Sequence, residues 1–148
     1  TIWQDTAPTS SVFSIGTSDG VNKTETHIAY CFRSVPGVCK VGSYEGNNAA
    51  DGTFIDLGFK PAWFMAKNVD ASGGWFIIDN KRGFNSPANE TYLRADDNQT
   101  ETVGNVARIL SNGIKWNTTG GGNASNTFIY LAIAEIGGNG TLPPIYGR

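Results

Sequence analysis

The sequence predicts an all-β protein, specifically an antiparallel β-sandwich of the jelly-roll kind. Short runs of β-branched and aromatic residues alternate with clusters of Gly, Asn, Asp, Ser and Thr, which is the spacing of strands and turns in all-β domains. No segment reads as an amphipathic helix. Residues 62–66 and 75–78 are apolar at nearly every position, which indicates strands covered on both faces.

Nine runs of the sequence are predicted to form strands. They cover residues 12–15, 26–35, 38–44, 53–57, 62–68, 75–79, 106–110, 114–116 and 128–134. Segment 70–74 has the composition of a hairpin loop, so the runs on either side are expected to pair as antiparallel central strands. The Ser-Asn-Gly segment 111–113 predicts a type I′ turn, in which Ile109 faces Trp116 across the hairpin.

The sequence also contains a gapless internal similarity. A shift of 101 positions aligns residues 11–32 with residues 112–133. Both segments have the order strand, Gly/Thr loop, Asn-x-Ser/Thr turn and long apolar strand, which predicts two copies of one β-hairpin related by a pseudo-dyad. The identical pairs are Thr17 and Thr118, Gly20 and Gly121, Asn22 and Asn123, Thr26 and Thr127, and Ile28 and Ile129.

The length of 148 residues predicts one domain, and we expect an arm at each end of it. The expected boundaries are an N-terminal arm over residues 1–10, the β-sandwich over 11–135 and a C-terminal arm over 136–148. Gly-rich and Pro-Pro stretches in the second arm break any continuation of the last strand. Its large apolar side chains have no local partners, which predicts contact with neighbouring subunits; they are Leu142, Ile145 and Tyr146.

Charge and hydropathy argue against two classes of partner. The formal net charge is -2, and the 11 Lys and Arg and 13 Asp and Glu are scattered singly. Such a chain has no basic face for phosphate groups, so we do not expect a nucleic-acid partner. No apolar run approaches the ~18 residues of a membrane span, and no charged and then apolar leader opens the sequence, so neither a span nor a signal peptide is expected.

The two cysteines are predicted to be free, half-buried thiols. A tight turn at residues 36–37 sets Cys39 opposite Ser34, which leaves Cys31 three ladder steps out of register with Cys39. A disulfide would need a longer loop or a bulge, because the Cα atoms must come within about 7 Å. The sequence leaves the redox compartment open.

A series of motifs follows one order along the chain: His-Ile-Ala-Tyr-Cys-Phe at 27–32, Val-Gly-Ser-Tyr-Glu-Gly-Asn at 41–47, Asp-Gly at 51–52, Gly-Phe-Lys-Pro-Ala-Trp at 58–63, Met-Ala-Lys-Asn at 65–68, Trp-Phe-Ile-Ile-Asp-Asn-Lys-Arg at 75–82, Leu-Ser-Asn-Gly at 110–113 and the stretch 123–135. In this order they resemble a recurring module of bacteriophage tail-fibre and virion structural proteins, notably of marine and cyanobacterial phages. The resemblance covers nearly the whole chain except its last dozen residues. It implies a virion location.

The residues that could carry chemistry do not form a known catalytic pattern. His27 is the only histidine and has no nucleophile elbow near it in the sequence, and one His with two Cys cannot close a zinc site. We therefore expect no enzymatic activity, no cofactor and no metal site. Two oxygen-rich segments, 96–98 and 47–51, match no established calcium motif. Unpaired carboxylates leave a polysaccharide depolymerase as a third hypothesis; they are Asp56, Asp79, Asp96, Asp97 and Glu135.

Two loops, at residues 44–51 and 117–122, are the candidate binding surface. Aromatic, Asn and Asp side chains there could bind a host-surface glycan, and we expect a fibre or receptor-binding module on the virion surface. Trp116 could instead be a core residue facing Ile109. The alternative function is a decoration, collar or fibre-shaft subunit that binds neighbouring virion proteins, and either role implies a homo-oligomer, a trimer or a lattice. The candidate glycan-binding residues are Tyr44, Asn47, Asn48, Asp51, Trp116 and Asn117.

Overall fold

The computed structural model describes residues 6–82 and 91–135 of the chain. The chain divides into two compact units, Thr1–Phe32 and Arg33–Arg148, which are described separately. The predicted C-terminal arm lies outside the described residues, as does the first half, residues 1–5, of the predicted N-terminal arm. The arm residues outside the description include Leu142, Ile145 and Tyr146.

All nine strands of the described residues belong to the second unit. They are β1 (Cys39–Glu45), β2 (Phe54–Asp56), β3 (Pro61–Asn68), β4 (Trp75–Asp79), β5 (Thr91–Tyr92), β6 (Thr102–Val103), β7 (Ala107–Leu110), β8 (Gly113–Trp116) and β9 (Thr127–Ala134). The described part of the chain contains no α-helix, only a short 3-10 turn at Gly121–Asn123. The sequence analysis missed β5 and β6, because strands of two residues leave no readable alternation.

The strands form three antiparallel sheets. The four-stranded sheet has the order β1-β9-β3-β4, the three-stranded sheet β2-β8-β7, and β5 pairs with β6. The predicted antiparallel pairing of β3 with β4 is confirmed, with Phe64 opposite Ile78. β4 was predicted to be central, but among residues 6–82 and 91–135 it is followed by a single bridge, between Ile77 and Leu93.

The core lies between the four-stranded and three-stranded sheets. Phe64 and Phe128 point inward from the first sheet, and Ile114 and Trp116 from the second, and all four are fully buried. The edge of the Trp116 ring meets the Phe64 ring, with ring centres 6.4 Å apart. Because the two inner faces share one apolar cluster, the predicted antiparallel β-sandwich is confirmed.

Among the described residues the four-stranded sheet is fully covered on one face and only partly covered on the other. Along β3, buried Phe64 and Ala66 alternate with half-buried Trp63 and Met65. The apolar runs were predicted to be covered on both faces, so this expectation is corrected. Alternation places every second side chain outside the sandwich, where Met65 and Ile77 are half-buried, Ile129 and Ile133 are exposed and Leu131 is buried.

Two predicted strands, over residues 12–15 and 26–35, are not formed. Residues 6–34 contain no strand, and only Val35 makes a single bridge, with Cys39. The predicted repeated hairpin is therefore wrong: its first copy lacks strands, and in its second copy β8 and β9 belong to different sheets. Suitable β-branched and aromatic residues do not form a strand unless a neighbouring strand supplies its hydrogen bonds.

The β7–β8 hairpin turns one residue earlier than predicted, which shifts the pairing of β7 with β8 by two residues. Ile109 lies opposite Ile114, and Trp116 lies opposite Ala107 instead of Ile109. The reason is Gly113, which was assigned to the turn but belongs to β8. A Cβ atom at Gly113 would lie 2.1 Å from the Ile55 carbonyl oxygen, so β2 can approach β8 only at a glycine.

Both cysteines are free thiols, as predicted. Cys31 is exposed rather than half-buried, whereas Cys39 is half-buried and its thiol donates to the Arg33 carbonyl oxygen at 3.1 Å. Val35, not Ser34, lies opposite Cys39, because the loop between them has three residues with Gly37 at a φ of 72°. This conformation is one that glycine adopts without strain.

In the first unit, the described residues are held by local turns. The Thr9 hydroxyl accepts hydrogen bonds from the backbone N–H groups of Ser11 and Val12. The Asn22 side chain donates to the Gly16 carbonyl oxygen at 2.8 Å. These bonds span at most six residues, so they define turns rather than a sheet.

Candidate functional site

The candidate site lies where two loops of the sandwich meet, residues 46–53 after β1 and residues 117–126 between β8 and β9. We call these two segments the loop pair. Asn123, which is fully buried, joins them. Its side-chain oxygen Oδ1 accepts from the backbone N–H groups of Asn47 and Thr53, both at 3.2 Å. Its amide donates to the Asn47 side chain and to the carbonyl oxygens of Ala49 and Thr118, at 2.8 to 3.0 Å.

Close approach requires glycine at three positions of the loop pair. A Cβ atom at Gly52 would lie 2.5 Å from the Trp116 carbonyl oxygen. A Cβ atom at Gly46 would lie 1.9 Å from the Ala124 carbonyl oxygen. A Cβ atom at Gly122 would lie 2.2 Å from the Trp116 ring. Any larger residue would force the loops apart, so these glycines set the distance between them.

Two of the predicted glycan-binding residues hold the loop pair together. The Asn47 amide nitrogen donates to the Asp51 carbonyl oxygen at 3.0 Å, and its side-chain oxygen accepts from the Ala49 N–H at 3.1 Å. Asn48 has a φ of 51°, and its side-chain oxygen accepts from the Gly120 N–H at 2.7 Å. Side-chain groups engaged in this way stabilise loops rather than offering free donors and acceptors to a ligand.

Two further predicted residues lie at the rim of the loop pair. The exposed Asp51 carboxylate accepts from the Lys115 ammonium group at 2.8 Å. This hydrogen bond and the charge of Lys115 hold the pKa of Asp51 below its usual value. The Asn117 amide donates to the Asn105 side chain at 3.0 Å. The Asp51 side chain is 94% accessible.

The structure overturns the predicted aromatic platform, because both of its rings are buried. Tyr44 is 8% exposed and Trp116 is fully buried. The Tyr44 hydroxyl donates to the Gly122 carbonyl oxygen at 2.6 Å, and its ring stacks on Phe128 with ring centres 5.0 Å apart. Burial raises the pKa of Tyr44 far above its usual value. The alternative that Trp116 is a core residue is correct, although its partner is Ala107 and not Ile109.

A cleft that the sequence analysis did not identify lies beside residues 117–126. Its volume is about 330 Å³. The Arg94 guanidinium carbon lies 6.0 Å from the centre of the Phe76 ring, which places a cation over an aromatic ring in this cleft. No motif signals this pair in the sequence, because β4 and the segment after β5 meet only in the folded chain. The lining residues are Asn68, Ala71, Ser72, Gly73, Gly74, Phe76, Arg94, Gly121, Ala124 and Asn126.

Hydrogen bonds to carboxylates hold two walls of the cleft. The Asp96 carboxylate accepts from the Trp75 N–H at 2.7 Å, next to Gly74. The Asp70 carboxylate accepts from the Thr127 N–H at 2.6 Å. This bond lowers the pKa of Asp70, because it stabilises the charged form. Asp96 had been considered as a calcium ligand, but here its carboxylate satisfies the backbone.

The remaining carboxylates considered for catalysis are engaged in turns or ion pairs. Asp79 accepts from the Arg82 guanidinium at 2.6 Å, and Glu135 from the Lys60 ammonium group at 2.6 Å. The contact with Lys60 lowers the pKa of Glu135. Asp56 accepts from the Gly58 N–H. Within residues 6–82 and 91–135, no group of three or more His, Cys, Asp or Glu side chains is arranged to hold a metal ion.

Fold and site together define a two-layer antiparallel β-sandwich with a fastened loop pair and an open cleft at its side. The chain belongs to the family described as domain of unknown function DUF7483, whose model matches residues 1–136. No curated protein and no solved structure matches the chain. In the part of the chain that the structure describes, no helix is long and apolar enough to cross a bilayer.

Proposed function

We propose that this chain is a non-catalytic structural module of a bacteriophage virion fibre, located on the particle surface and packed against neighbouring subunits. The likeness of its motifs to phage structural modules supports the virion location. The single observation that carries the packing role is the apolar outer face of the four-stranded sheet. A homo-oligomer, as a trimer or a lattice of repeated subunits, is the form that would cover such a face.

The outer face is apolar along its middle, where Leu131 is itself buried, and Ile129 lies between Ser43 and Lys67. Strand register places Leu131 of β9 between Val41 of β1 and Met65 of β3, and Ile77 of β4 lies next to Met65. On either side of Leu131 along β9, Ile129 is 46% exposed and Ile133 is 39% exposed. We call this set of residues, together with Trp63, the outer face. Covering it stabilises a contact by about 25 cal/mol per Å² of apolar surface removed from water.

Introducing charges on the outer face tests this proposal. Ile129→Lys/Ile133→Lys places two charges on the outer face, at positions exposed enough to leave the sandwich folded. We expect this variant to keep the parent's circular dichroism spectrum and melting curve but to be absent from particles probed with an antibody by electron microscopy. The matched control is Val69→Lys/Val103→Lys, which changes two exposed valines outside the outer face. Equal incorporation of both variants would disprove the packing role.

A second candidate function, binding of a host-surface glycan, is favoured by the cleft. Arg94 over Phe76 offers a cation and an aromatic ring, and Asn126 adds an amide at the cleft wall. A cleft of about 330 Å³ is within the ~300–1,000 Å³ range of small-ligand sites. Single sites of this size bind weakly, and a fibre that repeats them gains avidity.

The glycan role is tested by Arg94→Ala with Arg108→Ala as the control, since Arg108 is an exposed arginine of β7. Loss of adsorption to host cells by the Arg94 variant alone, from particles that carry normal amounts of the protein, would support glycan binding. Equal adsorption of the two variants would argue against it. The depolymerase hypothesis receives the least support, because Asp79 and Glu135 are committed to cations.

A further inference from the structure

Residues 26–32 have the pattern of a β-strand but no sheet to join. The segment runs without a turn or bend, and its large apolar side chains occur at every second position. Ile28, Tyr30 and Phe32 are 78%, 81% and 57% exposed. Among residues 6–82 and 91–135, no hydrogen bond, ion pair or ring contact involves residues 23–32. A strand with unpaired backbone groups and an apolar side is a template for pairing with another chain.

The hairpin that would pair this segment within its own chain ends at Ser34. Val35 and Cys39 exchange backbone hydrogen bonds of 2.8 and 3.0 Å. Further along β1, the Ser34 hydroxyl accepts from the Val41 N–H at 3.1 Å and donates to the Val41 carbonyl oxygen at 3.3 Å. A side chain thus satisfies both groups that a continuing strand would bond. The pairing partner of residues 26–32 therefore comes from outside this hairpin.

The segment is complementary to itself when two copies run antiparallel about Ala29. In that register Glu25 of each copy lies opposite Arg33 of the other, so two opposite-charge pairs form. Ile28 of each copy lies opposite Tyr30 of the other. Opposed residues share a face, which gives the ribbon one apolar face and one charged face. The small side chain of Ala29 lies at the two-fold axis, where the copies approach most closely.

We infer that residues 25–33 form an intermolecular antiparallel β-pair with the same residues of a second copy of this chain. The occupant follows from the self-complementary charges and apolar positions of the segment, which a two-fold axis satisfies at both ends. The inference deepens the proposed function and rests on it, because it names one contact by which subunits of the fibre would associate. Residues 25–33 share no residue with the outer face.

Charge reversal at the ends of the segment tests the register. Glu25→Arg and Arg33→Glu each create two like-charge contacts, and we expect each to weaken dimerisation of the full chain about tenfold in sedimentation equilibrium. The double variant restores both pairs and should recover the parent dissociation constant. Asp19→Arg is the matched control, an exposed carboxylate of the same unit outside the segment. A double variant as weak as the single variants would overturn the register.

A cysteine at the two-fold axis provides a second test. With Cys31 and Cys39 changed to Ser, Ala29→Cys places two thiols opposite each other. Opposed Cα atoms in an antiparallel pair are about 4.5–5.5 Å apart, a distance that a disulfide spans. We expect mild oxidation to give a disulfide-linked dimer of Ala29→Cys and little dimer of the control Val103→Cys in the same background. Equal yields from both would overturn the inference.

The same measurements separate this inference from the proposed function. A chain that stays monomeric at high concentration, or whose residues 26–32 are protected from hydrogen exchange as a monomer, overturns intermolecular pairing. If that chain is still found in particles by antibody labelling, the structural role stands without this contact. If the chain dimerises through Ala29→Cys but is absent from particles, the pairing stands and the virion role is lost.

Discussion

Residues 11–32 and residues 112–133 align without a gap, yet the chain builds strands from only one of them. The second segment contributes β8 and most of β9, which pair with strands on both sides in their respective sheets. The first segment contains only local turns and an unpaired stretch. Similar order of turn and apolar residues is therefore not enough to specify a hairpin, because the strands of the second segment take their partners from elsewhere in the chain.

The two segments differ at the positions where the sandwich leaves no room. Gly113 and Gly122 approach the Ile55 backbone and the Trp116 ring so closely that neither tolerates a Cβ atom. The aligned residues of the first segment are Val12 and Val21. A valine at either position could not occupy the place of its counterpart, so the first segment cannot adopt the packing of the second.

The largest expected contrast is in hydrogen exchange. Amides of β9 bond to neighbours on both sides and should open only on global unfolding, whereas residues 26–32 should exchange at nearly the rate of an unfolded chain. For a domain with a stability of about 5–15 kcal/mol the ratio of protection factors exceeds about 10³. Mass spectrometry on dilute monomer measures it. Equal protection of both segments would show that the first segment pairs within its own chain.

Truncation of one aligned pair of side chains sharpens the comparison. Trp116→Ala removes a fully buried ring from between the sheets, so we expect a loss of about 3–5 kcal/mol in the free energy of unfolding. Ile15→Ala, at the aligned position, should lose less than about 1 kcal/mol, because Ile15 is already 37% exposed. Urea denaturation of the full chain measures both. Similar losses in the free energy of unfolding would show that the Ile15 side chain is packed as tightly as Trp116.

The aligned asparagines provide a smaller contrast. Asn123→Ala leaves the part-buried N–H groups of Asn47 and Thr53 without their acceptor, which should lower the free energy of unfolding by about 1–3 kcal/mol. Asn22→Ala removes one bond, to the Gly16 carbonyl oxygen, and should cost about 0.5 kcal/mol. Denaturation midpoints at constant slope would measure both effects. A larger loss for Asn22→Ala would refute the assignment of Asn123 as the residue that joins the loop pair.

The smallest expected effect is a dependence on acid at the start of β9. The Thr127 N–H lowers the pKa of Asp70 below its ordinary value of 3.8, so the carboxylate contributes stability above that value. This contribution is lost as the pH falls through the lowered folded-state pKa. Asp70→Asn keeps an acceptor for Thr127 but cannot titrate, so its stability should fall less steeply between neutral and strongly acidic pH than that of the parent. Parallel pH profiles would contradict this linkage.

Local sequence patterns alone were sufficient to identify the all-β class and most strands of the second unit. The runs now seen as β3, β4 and β9 carry dense apolar and β-branched residues, which few structures other than buried strands accommodate. Asn123 was visible only as a member of the aligned pair, and no pattern indicated that its amide would join the loops.

Tertiary structure alone decided which aromatic residues are buried in the core, which strand edges are paired and which segments have no strand partner. The sequence placed Tyr44 on a platform and left Trp116 either on the platform or in the core, and the contact between two sheets buries both. The register of β7 against β8 depends on whether β2 can approach Gly113, which is a contact between distant parts of the chain. Strand pairing and burial depend on residues that are far apart in sequence. Composition and spacing therefore determine which segments are candidate strands, and the packed fold selects among these segments.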